Sequence, residues 1–123
     1  MINSYTRTYK AEGPRVNVIE CEIYYSKGGI NYFTYRDEPR GYYFSIQPYF
    51  IEDHGYCTSR SFSAFSGAKD IVLPCQRQSK KRYEEAKSMM DDLVERYLAT
   101  FCASHGLTLL GDDYEESERD RNV

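Results

Sequence analysis

The sequence predicts an α+β domain: a four- to five-stranded antiparallel β-meander with one long C-terminal helix packed on one face. Two observations carry this reading. The first half of the chain alternates apolar and polar residues with a period of two, broken at intervals by Gly, Pro and Asp. The second half holds one long stretch in which apolar residues recur at helical spacing between a serine and a glycine. At 123 residues, 41% hydrophobic and 28% charged, the chain suits one folded core and neither two cores nor a disordered segment.

A leading strand is expected over Tyr5 to Lys10, ended by Glu12-Gly13-Pro14. Val16 to Tyr25 follows as a half-buried strand, with Ile19, Cys21, Ile23 and Tyr25 on one face and Glu20, Glu22 and Tyr24 on the other. Lys27-Gly28-Gly29 breaks it, and Ile30 to Arg36 begins the next strand. A three-residue glycine loop sets Ile23 opposite Phe33 and Cys21 opposite Tyr35. On the other face it sets Tyr24 opposite Tyr32 and Glu20 opposite Arg36, a cross-strand ion pair.

Asp37 to Arg40 makes the next turn, which places Phe33 opposite Phe44 and Tyr35 opposite Tyr42. The third strand, Gly41 to Ile51, then points Tyr42, Phe44, Ile46 and Phe50 inward and Tyr43, Ser45, Gln47 and Tyr49 outward. Pro48 lacks a donor and predicts a bulge or an unpaired strand end. Cys57 to Ser66 is a Ser-rich fourth strand carrying Phe62 and Phe65, with its register open. Gly67 to Gln78 reads as a connection that tucks Ile71, Val72 and Leu73 against the core.

Ser79 is the expected helix N-cap. Beyond it Tyr83, Ala86, Met90, Leu93, Val94, Tyr97, Leu98 and Phe101 fall in a stripe of roughly 140° at about 100° per residue. His105-Gly106-Leu107 ends the helix with a left-handed glycine and a leucine folded back on the last turn. Leu107 to Leu110 is a short strand or an extended segment. Residues 1–111 thus form the single domain, and Asp112 to Val123, acidic and aperiodic, a mobile tail.

The net charge of −3 supplies no global drive onto nucleic acid or an anionic membrane, and no apolar run is long enough to span one. The N-terminal residues show no secretory pattern, so a cytoplasmic setting with reduced thiols is expected for Cys21, Cys57, Cys75 and Cys102. Cys21 and Cys102 read as small core residues. His54-x-x-Cys57 and Cys102-x-x-His105 have the residue types for a zinc site only if a turn and a helix end meet. No nucleotide-binding or metalloprotease motif is present, and no glycine-bounded elbow surrounds a cysteine. No catalytic residue, metal or cofactor is therefore expected.

Two features remain. Thirteen Tyr and six Phe with no Trp is an unusual aromatic balance, and part of it falls on the sheet face the helix leaves open. Tyr24, Tyr32, Arg36, Tyr43, Gln47 and Tyr49 make the candidate binding surface there, beside Ser45. Tyr also suits a pleated, half-wet surface for structural reasons alone. The second feature is the basic run Arg77, Lys80, Lys81 and Arg82, with Lys69 nearby. It lies at a helix N-terminus, where the dipole does not favour it, and can meet phosphate or balance the acidic tail.

The stretches Glu22-Ile-Tyr-Tyr-Ser-Lys-Gly-Gly-Ile-Asn-Tyr-Phe and Glu38-Pro-Arg-Gly-Tyr-Tyr-Phe-Ser-Ile-Gln-Pro, under a third of the chain, resemble small uncharacterised proteins of conjugative elements and related phage of Gram-positive gut bacteria. The resemblance implies an accessory protein of a mobile genetic element, a setting rich in inhibitors of host defence such as anti-CRISPR proteins. It implies no site residues. The reading adopted is a non-enzymatic protein-interaction module, in that setting an inhibitor of a host defence nuclease, that docks through its Tyr-rich face on another protein or on itself. The alternative is a nucleic-acid binder using the same face and the Arg77–Arg82 patch.

Overall fold

A computed structural model describes residues 1–13, 15–62 and 67–118, without the side chains of residues 60–62, 104 and 105. Among these residues the elements are β1 (Ser4–Glu12), β2 (Val18–Ser26), β3 (Gly29–Asn31), β4 (Arg36–Glu38), β5 (Gly41–Asp53), β6 (Thr58–Phe62), β7 (Ala68–Pro74), α1 (Lys80–Ser88), α2 (Met90–His105) and β8 (Thr108–Ser117). The architecture is α+β and mostly antiparallel, with more strands than the four or five expected.

Six strands form one sheet in the order β6-β5-β2-β1-β8, with β7 also paired to β5. Its centre is the ladder between β2 and β5, which matches Cys21 with Ile46, Ile23 with Phe44 and Tyr25 with Tyr42. On the far side of β2, Tyr5 faces Ile23 and Tyr9 faces Ile19. These alternate positions make one apolar layer, in which Ile19, Cys21, Ile23 and Tyr42 have no exposed surface. Asn17 extends the ladder by one side chain: its amide donates to the Ile51 carbonyl at 2.6 Å, and its carbonyl accepts the Ile51 N–H at 2.7 Å.

The expected meander is corrected here. Residues 30–36 do not lie beside β2, so the pairings of Ile23 with Phe33, Cys21 with Tyr35, Tyr24 with Tyr32 and Glu20 with Arg36 do not form. β2 skips to β5, and residues 27–40 leave the sheet to make their own two-stranded hairpin, β3–β4. The physical reason is side-chain match. β5 offers Tyr42, Phe44, Ile46 and Pro48 on one face, all buried, along the whole of β2. Residues 30–36 carry rings at 32, 33 and 35, on both parities, and have no face that would be wholly apolar. The longer connection costs about 1–2 kcal/mol of closure entropy, which one further buried aromatic offsets at about 1.5–3 kcal/mol. Gly28, at φ 73°, makes the exit turn, where a Cβ would collide with the Glu38 carbonyl oxygen.

β5 is thirteen residues long and pairs two short strands end to end along one edge. β7 takes Gly41–Ile46 and β6 takes Tyr49–Asp53. Residues 68–74, expected as a connection, are therefore a strand, with Ile71, Val72 and Leu73 half-buried as foreseen. The expected strand over Cys57 to Ser66 is found from Thr58 to Phe62, and Phe65 lies outside the described residues. Pro48 is neither bulged nor unpaired: it holds its place opposite Ile19.

The helix lies where its stripe and caps put it. Ser79 has extended backbone angles and its Oγ accepts the Arg82 N–H at 3.1 Å. Tyr83, Ala86, Met90, Leu93, Val94 and Leu98 are buried, and Tyr97 and Phe101 pack at the margin. A bend at Met89, whose N–H turns back to Ala86 at 3.1 Å, divides α1 from α2. Gly106 at φ 64° ends α2, and the Leu107 N–H bonds the Cys102 carbonyl as Leu107 folds into the core.

The chain then runs ten residues further alongside β1, with one register shift at Lys10 and Ala11, as edge strand β8. Asp112 to Ser117, expected at the start of a mobile tail, belong to the sheet. Their absence of apolar period reflects an edge position that is exposed on both faces. Contacts from α1 and β1 hold them: Glu116 accepts from the Tyr83 hydroxyl at 2.9 Å and pairs with Lys87, and Tyr114 packs beside Tyr5. Residues 119–123 lie outside the described residues.

Leu93→Ala is expected to cost about 2–5 kcal/mol, the usual range for a truncated core leucine. Ser79→Ala is expected to cost about 1 kcal/mol through the lost cap. Urea denaturation of each variant measures both.

Candidate functional site

The alternation that sends Ile23 and Tyr25 to the helix sends Glu20, Glu22 and Tyr24 to the opposite face. Tyr24 there lies against Tyr43, with rings stacked 5.9 Å apart at 19°. The two are 6% and 4% exposed. This corrects their expected role as an open docking surface. The Tyr43 hydroxyl donates to the Pro39 carbonyl at 2.5 Å, and Lys69 Nζ sits 5.0 Å from the Tyr43 ring centroid. Burial pushes the Tyr43 phenol above its ordinary pKa. The base of the β3–β4 hairpin and Lys69 of β7 close this corner, so the Tyr24–Tyr43 pair packs inside the fold.

The rest of the predicted surface divides. Gln47 and Tyr49 are half-buried on the open face of β5. Tyr32 and Arg36 are exposed, but on the separate hairpin. Glu22 is buried and accepts the Ser4 hydroxyl at 2.6 Å.

Beside the expected Tyr32, the hairpin exposes Ile30, Phe33 and Tyr35, which sequence reasoning missed. Ile30, Tyr32, Phe33 and Tyr35 all stand outside the fold, Phe33 at 96% and Tyr35 at 84% exposure. Phe33 and Tyr35 had been expected in the core. Their turn is nevertheless tightly tied. The Asn31 side-chain carbonyl accepts the Phe33 and Thr34 N–H groups at 2.9 and 3.3 Å, and the Asn31 backbone carbonyl accepts the Tyr35 N–H at 2.7 Å. The Asn31 amide donates to Glu38 at 2.7 Å, and Glu38 pairs with Lys69 at 2.8 Å. A chain of polar contacts therefore runs from the tip to the Tyr24–Tyr43 corner. Tyr35, at φ 55°, takes the left-handed conformation that a side chain ordinarily avoids. The available signal was the set of rings at 32, 33 and 35, on both parities, behind an asparagine suited to a turn.

The basic run lies beside the hairpin base. Cys75 N–H bonds the Arg40 carbonyl at 3.2 Å, and the Tyr25 and Tyr42 hydroxyls donate to the Gln76 and Ser79 carbonyls. Arg77, Lys80, Lys81 and Arg82 are exposed there, Arg82 in an ion pair with Glu85 at 3.1 Å. Lys27 and Arg40 are exposed at the same end.

The His54–Cys57 pair occupies an exposed turn, with His54 hydrogen-bonded to Ser59 at 2.9 Å. Among the described residues no three His, Cys, Asp or Glu side chains gather as metal ligands. The His105 side chain lies outside the described residues. Burial raises the thiol of Cys21 to about 12, and lifts those of Cys75 and Cys102 above their ordinary value. These three are held as thiols rather than reactive thiolates. Among the described residues no helix is long and apolar enough to cross a membrane.

No family model matches the chain, and neither a curated protein nor a solved structure is similar to it.

Tyr43→Ala removes a stack, a cation contact and a hydroxyl bond together and is expected to cost about 3–5 kcal/mol in urea denaturation. Hydrogen bonds from Asn31 and then Lys69 hold the Glu38 carboxyl below the usual carboxylate range. A depressed carboxylate stabilises the fold above its unfolded pKa, and that stability is lost as pH falls through the folded pKa. Acidification is thus expected to loosen the hairpin before the β2–β5 ladder, read as earlier loss of amide protection at Phe33 and Tyr35.

Proposed function

We propose that this protein is a binding module, with no reaction of its own, that docks on another protein by inserting the aromatic tip of the β3–β4 hairpin. The observation that supports the reading is the pair Phe33 and Tyr35, almost wholly exposed on a turn held in one shape by Asn31, which accepts three hydrogen bonds and donates one. An exposed apolar cluster of this kind is characteristic of an interaction site. Each such ring is worth about 1.5–3 kcal/mol when buried. A turn already ordered loses little further entropy on binding. Arg36 beside the tip, with Lys27 and Arg40 at the hairpin base, suits a pocket with an acidic rim, which would quicken encounter. The mobile-element setting implied by the resemblance makes a host defence nuclease the concrete partner.

The second reading, nucleic-acid binding, is supported by the contiguity of the hairpin base with Arg77, Lys80, Lys81 and Arg82. Tip rings would stack on unpaired bases while the basic run meets phosphates.

A photo-crosslinking phenylalanine analogue at position 33 is expected to give discrete adducts with one protein of the native host. Phe33→Ser with Tyr32→Ser is expected to remove that protein from pull-downs while shifting the thermal midpoint by less than about 2 °C, as surface substitutions do. Adducts with nucleic acid, and affinity falling steeply with salt, decide for the second reading. Absence of any adduct overturns both.

A further inference from the structure

β8 is the outer strand at the β1 edge of the six-stranded sheet, and its only strand partner among the described residues is β1. An edge strand turns every second pair of backbone N–H and C=O groups outward, and these groups are a template for another strand. A register shift opposite Lys10 and Ala11 leaves Leu110 without a partner in β1, 63% exposed. The regular edge is thus the seven residues from Gly111 to Ser117.

The charges of that edge choose among occupants. β8 holds Asp112, Asp113, Glu115 and Glu116 and no basic residue. Glu116 is engaged by Lys87 and Tyr83. The other three form no ion pair among the described residues. Asp113 and Glu115 share the open face with Glu20, Thr6 and Thr8, around a shallow depression of about 660 Å³. A second copy aligned antiparallel on this edge would set carboxylates against carboxylates, which destabilises cross-strand pairs. Such charges guard a sheet edge against self-association. The same charges favour a strand of opposite sign.

From this edge we infer that β8 accepts an extended basic segment of another protein as a further antiparallel or parallel strand. Its backbone pairs with Gly111–Ser117, and Lys or Arg at alternate positions meets Asp113 and Glu115 on the open face. This surface is distinct from the aromatic tip and does not depend on it.

The test uses the full chain and three eight-residue peptides, acetylated and amidated: one alternating Lys and Val, one alternating Glu and Val, and the Lys peptide with a central Val replaced by Pro. Fluorescence anisotropy is expected to show binding of the Lys peptide and none of the Glu peptide, with amide shifts in NMR confined to β1 and β8. The Pro peptide is expected to bind about tenfold weaker, the equivalent of a lost backbone hydrogen bond. Asp113→Lys with Glu115→Lys, both exposed, is expected to reverse the preference toward the Glu peptide. Equal affinity for the Pro peptide overturns the inference, since charge alone would then explain binding. So does failure of the Lys peptide to bind, or shifts on the hairpin instead of β8. A dimer in sedimentation at neutral pH with β8 amides protected overturns it in favour of a second copy.

Discussion

The pairing of β2 with β5 brings Ile23 against Phe44 and Tyr25 against Tyr42 on the helix side, and Tyr24 against Tyr43 on the other. The rest of the molecule depends on that register. On one face it assembles the layer that α1 and α2 cover; Tyr42 meets Tyr83 and Phe44 meets Tyr97. On the other it makes the stacked tyrosine corner onto which Lys69 and the hairpin base close. A slip of one residue would exchange the two faces and leave both unmatched.

The same pairing has a consequence for what is left outside. Once β2 takes β5 as its partner, residues 27–40 have no place in the main sheet. They fold on Asn31 and Glu38 into a hairpin that hides nothing of its own tip. The aromatic excess of the chain therefore divides by topology. Tyr5, Tyr25, Tyr42 and Tyr83 supply core volume, Tyr24 and Tyr43 lock a corner, and Tyr32, Phe33 and Tyr35 face solvent on a rigid support. A rigid apolar knob is suited to recognition, because the ordering that binding would demand is already in place.

Charge is segregated along the same architecture. The hairpin base and the start of α1 gather Lys27, Arg40, Arg77, Lys80 and Lys81 at one end, whereas β8 carries only acid along one edge. A small net charge of −3 thus conceals two surfaces of opposite sign. Each repels copies of itself and attracts partners of complementary sign.

The sequence by itself determined the segments with strong internal signals. The strands from Ser4, Val18 and Gly41, the Ser79 cap, the helical stripe and the Gly106 stop all rest on energies within or next to one element. The candidate site is legible only in part: the alternation puts Tyr32 and Arg36 outside, where they are, but it also puts Tyr24 and Tyr43 on open surface and Phe33 in the core. Only the tertiary structure decided these, along with the strand character of residues 68–74 and 112–117. The physical reason is that backbone hydrogen bonds are nearly the same for any pair of strands. Which strands pair is a competition among distant segments, decided by how well their side chains fill one shared layer. Local pattern sees each competitor, but the outcome exists only once all of them are packed together.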